Sequence, residues 1–214
     1  MSFLRNAFLT LTTAATMLYM GCTPSADPNI DYEQKLRSAN KIVVEEMVIN
    51  KGRDYKIFAD GQRVATVSGK NIRFFESLVG DKFTLTTLDG KVIGSEQEEK
   101  RFLTFNRNAR CEDAFENTTG YIGETISGKL SIKYIFHFLD ANKQEVGRSD
   151  KLGKSLIGRH KINDNQGHED YDIDKQFELF GDEYVITVKD LNSEIPLEHA
   201  ILLTCIEDAI GDSN

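Results

Sequence analysis

The chain is 214 residues long, 40% hydrophobic and 28% charged, a composition that suits one globular domain and excludes a disordered chain, a collagen-like chain and a polytopic membrane protein. Its first 21 residues read as a secretion signal with one charge, Arg5, so 25 of the 26 Lys and Arg stay with 34 Asp and Glu and the net charge becomes −9. Such a surface repels nucleic acid and anionic headgroups as a whole, and no nucleic-acid partner is expected.

Arg5 precedes an apolar stretch of 14 residues, 7–20 (AFLTLTTAATMLYM), too short for a bilayer that needs about 20. The stretch ends in Gly21-Cys22. A small residue followed by Cys resembles the lipobox of bacterial lipoproteins, which implies a lipid on Cys22 and a membrane reached through that anchor. The lipobox usually has Leu three residues before the Cys; here Tyr19 holds that place and Leu18 comes one position early. Thr23 stands where an inner-membrane lipoprotein of the enteric type would carry Asp, so the expected location is the cell envelope, at the outer membrane facing the periplasm. Residues 22–40 form a tether and a short helix: two of the three prolines fall in 23–31, and 31–40 carries several good helix formers.

Residues 29–195 hold no proline and break into short alternating segments bounded by Gly, Asn and Asp, the punctuation of strands. Residues 55–66 (YKIFADGQRVAT) and 83–95 (FTLTTLDGKVIGS) are near-repeats, and 134–149 (YIFHFLDANKQEVGRS) is a looser copy. Asp-Gly between apolar runs in the first two predicts type I′ hairpins, with positive φ at both turn residues. Period-two patterns predict further strands over 42–49, 102–107, 156–162, 171–179 and 184–188. Residues 71–79 (NIRFFESLV) fit either a helical turn or a strand.

Residues 197–210 change character. They follow Pro196, which suits a first helical position, and precede Gly211, which suits a helix stop. Ala200, Ile201, Leu202, Leu203, Cys205 and Ile206 leave no solvent stripe, since only Thr204 interrupts them, so this helix must be enclosed. Many hairpins followed by a helix that needs wrapping predict a mainly β fold, a closed antiparallel barrel of about twelve strands around a central hydrophobic C-terminal helix.

The hairpins with Asp-Gly turns and Val-Ala or Val-Ile-Gly return strands, the strand 184–188 (YVITV) and the final helix with Ile206-Glu207-Asp208 near its end resemble the LURP-one-related and tubby C-terminal-like group, with which phospholipid scramblases share features. The similarity runs over about residues 42–210. It implies a barrel of roughly twelve strands around a central helix, in a tubby-like domain over 41–211. Tubby-like domains can bind phosphoinositide headgroups through a basic pocket, and scramblases act on membranes. This sequence has no matching cationic pocket motif: Lys56, Arg63, Lys70, Arg73, Arg101, Arg107 and Arg110 read as a solvated strand face.

Candidate sites divide against structural alternatives. Gly153-Lys154-Ser155 lacks the phosphate-loop Gly, because position 148 is Arg, and alternating residues follow it. His160, His168, Asp170, Asp172 and Asp174 would make a metal cluster only if they shared a face. Burying Ile162 with Tyr171 and Ile173 sets even positions of one strand opposite odd positions of the next, which separates His160 from the others; no metal or cofactor is expected. With Cys22 lipidated, Cys111 and Cys205 are left either to pair as a disulfide or to remain two buried thiols. His137 and His199 read as packed histidines, and pairs such as Glu98-Glu99 and Glu207-Asp208 as acidic surface. No catalytic motif appears. The expectation is a non-enzymatic envelope lipoprotein with a binding or scaffold barrel and an envelope protein as partner. The alternatives are a lipid-headgroup binder, or an envelope hydrolase using surface carboxylates or His137.

Overall fold

A computed structural model describes residues 26–47, 54–70, 82–99, 107–127, 133–150, 152–153, 158–178 and 181–211. The chain opens with helix α1 (Tyr32–Arg37), capped by Asp31, whose Oδ1 accepts the Gln34 N–H at 2.9 Å. Tyr32 and Leu36, four apart on one face, are buried. The Tyr32 hydroxyl accepts the Asp27 N–H at 2.8 Å, which pins the segment that leads into the helix.

The strands follow as β1 (Lys41–Glu46), β2 (Asp54–Ala59), β3 (Gln62–Lys70), β4 (Lys82–Thr87), β5 (Val92–Glu99), β6 (Arg107–Asp113) and β7 (Thr118–Ser127). After them come β8 (Lys133–Asp140), β9 (Glu145–Ser149), β10 (Leu152–Gly153), β11 (Arg159–Asp164), β12 (Glu169–Glu178) and β13 (Gly181–Val188). All pair antiparallel. Each of β1 to β8 pairs with the next, β9 pairs with β11, and β11, β12, β13 and β1 complete the ring. Twelve strands therefore close a barrel, which removes the free edges an open sheet would expose. The two-residue β10 continues past β9 along the same edge of β8, against Lys133 and Tyr134, and adds no further strand to the ring.

One turn chemistry builds most of the described hairpins. In the β2–β3 turn, Asp60 (φ 47°) and Gly61 (φ 82°) are both left-handed, the predicted type I′ pair. The β4–β5 turn departs from that expectation. Only Gly90 is left-handed (φ 88°), its N–H donates to Thr87 O at 3.0 Å, and a bulge follows the shift between Leu85 and Thr86. This is a three-residue loop closed by a left-handed residue, in which the bulge takes up the extra position. The same frame recurs with Glu116 (φ 63°), Lys143 (φ 64°) and Gly167 (φ 86°) as the left-handed residue. An Asp side chain holds each of these three loops. Oδ1 of Asp113, Asp140 and Asp164 accepts the backbone N–H groups two and four residues on, at 2.8 to 2.9 Å.

Several sequence-based bounds shift. The strand expected over 102–107 is described only from Arg107, where β6 begins, and 102–106 lie outside the described residues, as do 71–79. The strand expected over 156–162 is described from Arg159 and runs to Asp164. The register across β11 and β12 is the expected one, with His160 opposite Ile173 and Ile162 opposite Tyr171.

Helix α2 (Leu197–Gly211) fills the lumen. Ala200, Ile201, Leu202, Leu203, Thr204 and Cys205 are each buried, and Ile206 packs against the same core. Inward residues of the wall, among them Ile42, Val44, Ile57, Leu85, Phe136, Phe138, Ile173 and Ile186, complete the cluster. Each such side chain contributes about 1.5 to 3 kcal/mol on burial, so the helix gains its stability from the wall rather than from amphipathicity. Among the described residues no helix is long and apolar enough to cross a membrane.

Candidate functional site

Among the described residues, the five turns that hold Asp60, Gly90, Glu116, Lys143 and Gly167, residues 26–40 and the segment before α2 all meet at one end of the barrel. There Asp60 N–H donates to Lys41 O and Lys189 N–H to Asp170 O. Buried Asp170 accepts the Ser193 hydroxyl at 2.6 Å, and the Tyr171 hydroxyl donates to Ile195 O at 2.6 Å, which fixes the approach to Pro196. The helix enters beside a cavity of about 180 Å³. Ile93, Pro196 and Leu202 give it apolar wall. Its polar lining comes from Arg37 of α1, from Ser95, Glu112, Asp113 and Thr119 on the barrel, and from Glu198 and His199 on the first turns of α2. Gly120 permits this approach: a Cβ there would lie 2.3 Å from Leu139 O and 2.8 Å from His199 Cε1.

Charges at this entrance form an alternating chain. Lys91 pairs with Glu33, Glu33 with Arg37 at 3.1 Å, and Arg37 Nη2 with Glu198 Oε1 at 2.5 Å. Glu112 is served separately by Arg110 at 2.9 Å and Lys82 at 3.8 Å. The Glu198 side chain is 9% exposed, and its Oε2 is buried without a hydrogen-bond partner. Next to it, His199 Nε2 and Thr119 Oγ1 are hydrogen-bonded at 3.0 Å. Burial pushes the His199 pKa down to about 4, so the ring is neutral at pH 7. Cys111 also lines the cavity; burial, with Glu96 and Glu112 nearby, holds its thiol well above the usual range. A protonated thiol is a poor nucleophile.

Deeper in the lumen, the last turns of α2 carry buried polar groups. Asp208 accepts hydrogen bonds from the Tyr55 hydroxyl at 3.0 Å, the Tyr184 hydroxyl at 3.2 Å and Lys175 Nζ at 3.2 Å, and Lys175 also pairs with Asp182 at 2.6 Å. Burial raises the Asp208 carboxyl to about 6, against the pull of Lys175. Glu207 Oε1 faces His160 Nε2 at 3.2 Å, both side chains enclosed. Burial opposes the charge on His160, but Glu207 outweighs it and the pKa is raised. The Glu207-Asp208 pair, read from sequence as acidic surface, is therefore interior. The wall supplies its partners from three or more strands that sequence spacing does not connect.

On the outer wall, Thr125 Oγ1 lies 3.0 Å from His137 Nε2, and His137 Nδ1 lies 3.2 Å from Glu145 Oε2. Arg148 stands directly across from His137 in the β8–β9 register. Glu145 and Arg148 border a polar groove of about 600 Å³. A hydroxyl, an imidazole and a carboxylate in this order match the nucleophile, base and orienting group of covalent catalysis. His137 was singled out in the sequence; Thr125 and Glu145 were not, because cross-strand diagonals bring them to it.

Cys111 and Cys205 are both free thiols in the structure, and both are buried. Burial raises the Cys205 thiol as well, with Glu96 and Asp208 adding to it. His168 sits at the β11–β12 turn beside Asp164, and Asp172 is held by Arg159, so the residues weighed as a metal cluster fall into separate pairs. Among the described residues no group of three or more His, Cys, Asp and Glu is placed to hold a metal. The basic residues are dispersed, with Lys56 on Glu45 and Arg110 on Glu112. Arg73, Arg101, Cys22, Lys151 and the 154–157 segment lie outside the described residues. No family model, curated protein or solved structure matches this chain.

Proposed function

We propose that the chain is a non-enzymatic cell-envelope lipoprotein, held through Cys22 at the outer membrane on its periplasmic side, whose tubby-like barrel is a binding or scaffold module. The observation that carries this reading is the place of the cavity. Arg37 of α1 is part of its wall, so the helix that follows the tether also lines the site, and an anchor at Cys22 would hold that end of the barrel toward the bilayer. The groups within reach are a neutral His199, a protonated Cys111 and an ion-paired Glu198, which favour binding over group transfer. The partner is an envelope protein or a small envelope component. Replacing Cys22 with Ala is expected to leave the chain out of the membrane fraction and to change its mass by the lost lipid. A C22A chain that still fractionates with the outer membrane at unchanged mass contradicts the proposal.

A second reading, an envelope hydrolase, is favoured by the Thr125, His137 and Glu145 relay. In it the Thr125 hydroxyl attacks an ester carbonyl, His137 takes its proton and returns it to the leaving alcohol, and water then releases the acid from Thr125. Turnover of a p-nitrophenyl ester that is lost in T125A would favour this reading. Equal rates for T125A and the parent chain would remove it.

A further inference from the structure

We infer that the cavity at the helix entrance binds a primary ammonium group carried on a short apolar stem, with Glu198 Oε2 as the anchoring acceptor. This deepens the binding-module reading and rests on it. A buried carboxylate oxygen with no partner is costly to leave unmet, and Glu198 Oε2 is one such atom. Its other oxygen is fixed by Arg37, and the chain of charges from Lys91 through Glu33 and Arg37 ends at Glu198. A cation is the group that continues the alternation.

The helix start does not reverse that preference. Glu198 occupies the first turn of α2 and already supplies the negative charge that a helix N-terminus favours. Of the other carboxylates in the lining, Glu112 is answered by Arg110 and Lys82 and Asp113 accepts the Phe115 and Asn117 N–H groups; with His199 neutral, none of them changes the sign at Glu198. A primary ammonium has three N–H donors. Glu198 Oε2 takes one, and the hydroxyl oxygens of Thr119 and Ser95, both in the lining, are the available acceptors for the others.

Size and wall chemistry set the rest of the ligand. A cavity of about 180 Å³ has room for about six water-sized groups. Water would meet the polar side but leave the wall of Ile93, Pro196 and Leu202 wetted. A short alkyl stem meets both. A quaternary ammonium lacks the donors, and a carboxylate would face Glu198 with like charge.

The test titrates n-propylammonium into the detergent-solubilised full chain, with n-propanol and propionate as controls, while following the resonances of His199 and Cys111. Saturable propylammonium binding about tenfold or more tighter than propanol is expected, with no response to propionate. E198Q is expected to bring propylammonium down to the level of propanol. R37M keeps Glu198 and removes the competing cation, so it is expected to tighten binding; it also serves if E198Q does not fold. Equal affinity for propylammonium and propanol, or weaker binding in R37M, overturns the proposal. Either result leaves membrane anchoring through Cys22 untouched, so failure of this site is distinguishable from failure of the lipoprotein reading.

Discussion

Tyr55 and Asp208 are 153 positions apart in sequence, and the hydroxyl of one donates to Oδ2 of the other at 3.0 Å inside the barrel. That bond ties β2 to the end of α2. Tyr184 and Lys175 reach the same carboxylate from β13 and β12, so one acidic side chain ties three wall strands to the helix. Asp208→Ala removes the acceptor for two buried hydroxyls and one buried ammonium, and is expected to cost about 3 kcal/mol in urea unfolding at pH 7. Tyr55→Phe removes a single donor and should cost about 1 kcal/mol. An Asp208→Ala loss no larger than that of Tyr55→Phe would show that the carboxylate does not gather these partners.

Gly120 sets how closely the helix start can sit against the wall. Gly120→Ala would drive a Cβ to 2.3 Å from a backbone oxygen that cannot step aside, and is expected to destabilise by roughly 2 to 3 kcal/mol. Gly94→Ala meets Glu112 O at 3.3 Å and should cost less. The order of the two melting temperatures is the check.

His199 should remain neutral far into acid. Its folded pKa of about 4 lies below the ordinary 6.5, so the unfolded chain binds the extra proton first as pH falls. The corresponding stability, about 3 kcal/mol by linkage, is complete above pH 6.5 and is lost progressively as pH drops through 4. Asp208 acts in the opposite sense. Its folded pKa of about 6 lies above the ordinary 3.8, so its contribution is complete below 3.8 and is lost as pH rises through 6. An NMR titration isolates the first effect: the His199 ring resonances should move near pH 4. Movement near 6.5 would place that ring in water.

Leu203→Asp introduces a charge where the neighbours are Leu202, Thr204 and the inward faces of the strands, with the native side chain fully enclosed. Desolvation or forced protonation should cost about 4 kcal/mol. An unchanged melting temperature would mean that the helix is exposed.

The enclosed helix was legible because Pro196 and Gly211 bracket it and its apolar residues leave no solvent stripe. The hairpins showed through Asp-Gly and period-two alternation. Turn type at Asp89-Gly90 was not legible, because the same dipeptide serves a two-residue turn and the last positions of a bulged three-residue loop. Strand β7 was also missed. Its sequence TTGYIGETIS places two glycines where alternation would be read, and one of them is needed for His199 to approach. The polar site was largely hidden for a similar reason: Glu198 and Arg37 meet across 161 positions, and nothing in local spacing distinguishes an interior Glu207-Asp208 from a surface pair.

Native-state hydrogen exchange of the amides of Ala200 to Cys205 tests the wrapped helix most directly. With the barrel closed around α2, those amides can reach water only when the wall opens, so they should exchange with the free energy of global unfolding and match Ile57 of β2 and Ile186 of β13. Helix amides that exchange with a free energy several kcal/mol lower than those strand amides would contradict the account, because they would show that α2 leaves the lumen while the barrel stays folded.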